Sequence, residues 1–131
     1  MQFSATVLPL LALALPASAI VSGLTAPYSV TAGEPFILTL DTADYIQAVY
    51  DVSVAFGIAP GEGYPGALGD VFASAYLGPQ LSNIVNPIQF TVSVAETTPK
   101  GESIIAASVT SLYGIEAEPV INTFNATVTV V

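Results

Sequence analysis

The chain has 131 residues, with ten carboxylates against a single lysine and no arginine or histidine, for a formal net charge of −9. That balance excludes a nucleic-acid partner and an anionic membrane surface, since almost no positive charge is available to neutralise phosphate. Cysteine is absent, which removes disulfides and thiolate chemistry, and charged residues are only 8% of the chain, too few for a disordered polyelectrolyte.

In chain order, residues 1–19 read as a signal peptide. An apolar stretch from Val7 to Leu15 is followed by Pro16 and the small residues Ala17-Ser18-Ala19, the pattern that a signal peptidase cuts. The stretch is shorter than the roughly 20 residues that span a bilayer. Residues 20–131 are then the mature domain, expected to be secreted, monomeric, free of membrane insertion and built around one core.

Short apolar runs closed by Gly, Pro, Asn or Asp follow. They predict strands near 21–26, 35–41, 48–56, 70–76, 87–95, 103–112 and 120–130. Phe36, Leu38 and Leu40 share one face of their run. Ile88, Phe90, Val92 and Val94 oppose Gln89, Thr91 and Ser93. In VYDVSVAF, strict alternation puts Tyr50, Val52, Val54 and Phe56 on one side, with Asp51 and Ser53 on the other. No helical period of comparable strength appears after residue 20. The expected fold is all-β: a single immunoglobulin- or fibronectin-like sandwich of about seven strands.

The segment Gly61–Gly66, GEGYPG, fits the dinucleotide pattern G-x-G-x-x-G. Such a loop must open a helix and be answered by an acidic residue about 20 positions later. Here prolines and glycines continue to Gly69, and position 86 is Asn. A recognition loop is expected instead. Its Tyr64 and Pro65 are candidate partner contacts, as are Tyr76, Leu77 and Pro79 in the next connection. For Tyr76 and Leu77, ending a strand over the core is the competing reading.

Other chemistry is sparse. Without Cys or His, thiolate and triad catalysis and ordinary zinc or copper sites lack their residues, so no enzyme and no cofactor are expected. Calcium needs only oxygen ligands, and Asp41 and Asp44 are weak candidates, with a solvated turn as the simpler account. Asn125-Ala126-Thr127 is an N-glycosylation sequon. It faces solvent if Phe124, Ala126, Val128 and Val130 face the core.

The stretches YIQAVYDVSVAFGI, GYPGALG, SAYLGPQLSNI, TPKGESIIAASVTSLYG and TFNATVTV resemble the necrosis-inducing secreted proteins of plant-associated filamentous fungi, over roughly residues 35–130. The resemblance implies a small non-enzymatic effector that binds a plant receptor-like kinase or an associated cytoplasmic kinase. It further implies suppression of pattern-triggered immunity, with cell death in some hosts. It supplies no catalytic residues to carry over. The alternative reading of the residues is a secreted cell-wall or carbohydrate-binding module, which fits a sandwich with exposed tyrosines but lacks the usual stacking Trp.

Overall fold

The computed structural model describes residues 19–131. The expected signal peptide therefore lies outside the described residues, apart from Ala19. Eight strands and one short helix follow in order: β1 (Ala19–Thr25), β2 (Ser29–Val30), β3 (Phe36–Asp44), β4 (Val49–Pro60), β5 (Asp70–Tyr76), α1 (Gly78–Leu81), β6 (Ile88–Val92), β7 (Gly101–Tyr113) and β8 (Glu118–Val130). Every strand expected from the sequence is present. The two-residue β2 and the single-turn α1 are additions.

The strands form two sheets, β1-β3-β6 and β2-β8-β7-β4-β5. All pairings are antiparallel except that of β2 with the end of β8. Between the sheets lies a core that alternation supplies almost unaided. Leu38, Leu40 and Ile88 come from the smaller sheet, and Val54, Phe56, Ile58, Ile105, Val109 and Val128 from the larger. Phe56 is the hub, with Phe90 edge-on at 5.5 Å and Phe72 stacked at 6.4 Å between ring centroids.

One face reading fails, and a bulge is the cause. Against β7, Asp51 is opposite Ser111 and Ser53 opposite Thr110, so Val52 is an extra residue in β4. An inserted residue reverses which face every earlier side chain occupies. Val54 and Phe56 point inward as expected. Tyr50 instead points out, and Asp51 points in, where it is only 2% exposed.

Buried Asp51 is tied down by two hydrogen bonds to its carboxylate and one from its backbone. Ser111 Oγ donates to Oδ1 at 2.6 Å, and the Val21 backbone N–H reaches Oδ2 at 3.3 Å. The Asp51 N–H in turn donates to Ser82 Oγ at 2.8 Å. Two residues before Val21, the Ala19 N–H donates to Asn83 Oδ1 at 2.7 Å. These side chains satisfy backbone donors of β1 and tie β1, β4, β7 and the segment after α1 together at one end of the sandwich. Burial pushes the Asp51 carboxyl above its ordinary range, with the Ser111 and Val21 hydrogen bonds pulling the other way.

Candidate partner-binding surface

The outward face of the larger sheet has a floor of small residues. Ser53, Ala55 and Gly57 of β4 lie opposite Thr110, Ser108 and Ala106 of β7, and on β5 Ser74 lies opposite Ala55. Larger side chains rise from its two ends, and they separate the expected contact residues into two groups.

At one end stands the Gly-rich connection between β4 and β5. It joins two antiparallel neighbours and leads into a strand, not a helix, so its geometry is that of a long hairpin loop and not of a phosphate cradle. The loop folds back onto the sheet. Its Gly61 N–H donates to the Glu102 carbonyl at 2.8 Å, and Ala67 N–H to the Tyr64 carbonyl at 3.0 Å. The Leu68 backbone passes so close to β4 that a Cβ on Gly57 would meet its carbonyl oxygen at 2.5 Å, which explains glycine there. Tyr64 is 55% exposed, and Pro65 beside it is exposed.

At the other end, Tyr76 is 68% exposed, and its hydroxyl lies 3.2 Å from that of Tyr50. This contact is the main cause that raises the Tyr50 phenol above its ordinary value. Pro79, at the start of α1, is also exposed and lines a groove of about 550 Å³ with Tyr50, Asn83 and Leu112. A larger neighbouring groove of about 990 Å³ runs past Gln47, Tyr113, Ile115, Glu116 and Pro119. The two share Ala48, Gly114 and Ala117 as a common wall. The Gly114 N–H donates to the Ala48 carbonyl, which holds the β3–β4 loop against the β7–β8 hairpin. On the tips of these two connections Ile46 and Ile115 are fully open to solvent, at 97% and 104% exposure.

The expected residues thus part company. Pro79, and Tyr76 through its contact with Tyr50, belong to the end where two adjoining grooves run past Tyr50 and Ile115 and where the Ile46 loop is bound, whereas Tyr64 and Pro65 lie at the opposite end of the face. The ladder positions beneath the two tyrosines, Ala106 and Thr110, are four residues apart, or about 13 Å at the usual rise per residue. Leu77 is corrected outright. It is 1% exposed within the core, and its backbone N–H is bound to the Val52 carbonyl at 2.8 Å, so its side chain cannot meet a partner. Ile46 and Ile115 were missed. The available signal was an isoleucine placed in a turn, in DYIQA and in YGIEA, where no core can take it.

Asp41 and Asp44 do not converge. Both belong to β3, and a three-residue spacing on a strand sends them to opposite faces. Asp41 accepts a hydrogen bond from Thr25 Oγ1 at 2.8 Å. Among the described residues no three carboxylates gather as a metal site would require. Also among the described residues, no helix is long and apolar enough to cross a membrane.

Residues 17–129 match the Nis1 family. The chain is 40% identical over 131 residues to necrosis-inducing secreted protein 1 of Colletotrichum orbiculare, an alignment that takes in 99% of this chain and 81% of the relative. The protein of the same name from Colletotrichum higginsianum is 39% identical over 131 residues, with 99% and 91% covered. Among solved structures, a superoxide reductase (neelaredoxin) from Ignicoccus hospitalis superposes with a TM-score of 0.53 at 13% identity, over 87% of this chain and 80% of that one. At that identity the likeness concerns the sandwich alone. The sequence relatives are both named as secreted and necrosis-inducing, which indicates a secreted fungal effector, and by identity and coverage together the chain belongs to the Nis1 family.

Proposed function

We propose that this secreted effector acts by binding a plant immune receptor-like kinase, or a cytoplasmic kinase associated with one, and thereby suppresses pattern-triggered immunity without catalysing a reaction. The observation that carries the reading is the surface formed by Tyr50, Tyr76, Pro79, Ile46 and Ile115. Ile46 and Ile115, fully exposed on two connections joined by a hydrogen bond, and the exposed ring of Tyr76 are large apolar groups that suit burial by a partner. Glu116 and Glu118 border the larger of the two grooves and favour a basic rim on whatever docks there.

The test is binding of the secreted chain to a receptor-like kinase domain. Tyr76→Ala and Ile115→Ser should each weaken it about thirtyfold, the effect of losing one hot-spot residue, without lowering the urea midpoint. Unchanged affinity in both folded variants would remove this surface from the interface. Retention on chitin, glucan or cellulose with no kinase binding would instead favour the wall-module alternative, for which the exposed tyrosines would be sugar platforms.

A further inference from the structure

Among the described residues, the longest strand edge without a partner is the outer edge of β8. β7 pairs with all thirteen residues of this strand, but on its other side β2 reaches only Thr129 and Val130. From Glu118 to Val128 the edge has no strand partner among the described residues. Between Pro119 and Thr129 the sequence is VINTFNATV, with no charge, no glycine and no proline, and the β7 ladder runs through it without a bulge. Edges of this kind are normally blunted by lysines, prolines, bulges or a covering element, because they template pairing between chains. None of the intrinsic devices is present along those nine residues.

The same edge carries the sequon. Asn125 and Thr127 are exposed, while Ala126 between them is half-buried and Val128 is buried, so the acceptor amide lies on the outward face. Beside it is a concave site of about 280 Å³, whose walls are Glu62, Tyr64 and Pro65 of the Gly-rich loop and Ile104, Thr123 and Asn125 of the sheet. Tyr64, isolated from the apolar surface at the other end of the face, therefore borders the hollow that opens beside Asn125.

We propose that Asn125 carries an N-linked glycan whose first sugar sits in this hollow against Tyr64, on the strand that bears the open edge. The donor is the polyprenyl-diphosphate-linked oligosaccharide of the secretory compartment. Asn125 Nδ2 loses a proton and forms a bond to C1 of the reducing-end N-acetylglucosamine, the C1–O bond to phosphate breaks, and the polyprenyl diphosphate leaves. The hollow is shallow and lined by an aromatic ring and a proline, surfaces suited to the apolar face of a pyranose, with Thr123 and Glu62 at hand for its hydroxyls. The Gly-rich loop is then a seat for the protein's own sugar. This inference does not depend on the kinase reading, because it concerns the opposite end of the face.

The full-length chain is expressed with its own N-terminal segment in a secreting yeast or filamentous fungus, and its intact mass is measured before and after peptide-N-glycosidase treatment. The expected result is one N-glycan on the secreted protein and none on Asn125→Gln or on Thr127→Ala, which keeps the asparagine. A wild-type protein secreted at the bare polypeptide mass overturns the proposal. The seat is read separately from the rate at which the glycosidase removes the sugar from the folded protein. Release should be several-fold faster from Tyr64→Ala than from wild type, and equal rates overturn the contact with Tyr64.

Discussion

Tyr50-Asp51 on β4 and Tyr76-Leu77 at the end of β5 are two neighbouring pairs with the same division of labour. In each, the tyrosine projects outward and the next residue is buried, Asp51 at 2% exposure and Leu77 at 1%. The two hydroxyls meet outside, while the two buried partners anchor opposite kinds of interior, one polar and one apolar. The buried member of each pair serves folding and the exposed member belongs to the proposed contact surface, and a substitution at either position should show the difference. The sharpest contrast is Leu77→Ala against Tyr76→Ala. The first empties a core position and should cost about 2–5 kcal/mol of stability. The second removes an exposed ring and should stay within about 0.5 kcal/mol of wild type. Urea unfolding of the two variants measures this, and similar losses would erase the division.

The floor between the tyrosines is where the contrast can be broken. Gly57 points outward on β4, so a simple inside–outside rule predicts that it tolerates alanine. The structure predicts otherwise, because the added methyl would meet the Leu68 carbonyl oxygen at 2.5 Å and the Leu68 Cβ at 2.6 Å. The loop must move or the strand must bend, a strain of about 1–3 kcal/mol. Gly57→Ala should therefore fall between the two variants above in its urea midpoint. A neutral result would show that the Gly-rich loop lifts freely from the sheet.

Most of the sandwich was legible because its strands obey the two-residue period and end at strong turn signals. Leu38 and Leu40, or Ile88 and Phe90, could be assigned to the core by alternation alone, and the alternation of β8 correctly exposed Asn125. The error at Tyr50 and Asp51 came from one inserted residue, Val52, and a bulge leaves no mark that distinguishes it from regular alternation in VYDVSV. Leu77 was misjudged because it sits beside a Gly-Pro pair and so looked like loop, whereas the chain turns its side chain back under the sheet. The candidate surface was only half visible for a different reason. Ile46 and Ile115 are far apart in sequence, and their two connections come together only because the β3–β4 loop binds the β7–β8 hairpin. A contact between two turns is a property of topology, and no local pattern encodes it.

The smallest effect concerns the polar member of the buried pair, and its sign is informative. Asp51 sits where burial raises the carboxyl, the Ser111 hydroxyl lowers it, and the Val21 N–H lowers it further, with burial the largest of the three. A folded-state value above the unfolded one means that, between the two, the native protein holds a proton that the unfolded chain has released. Stability from this group is therefore present in acid. It declines as pH rises from the ordinary aspartate range through the raised native value, and is gone above it. Asp51→Asn keeps the shape and an acceptor for Ser111 but cannot titrate, and should change stability by about 1 kcal/mol or less at the acid end. Wild type should lose stability relative to Asp51→Asn as pH rises from the ordinary aspartate range of about 4, a difference that cancels the shared repulsion among the other carboxylates. Thermal melts of both proteins from that range upward decide the matter. If the wild type instead gains on the variant as pH rises, the hydrogen bonds from Ser111 and Val21 outweigh burial, and the node at the end of the sandwich is built to hold a charge.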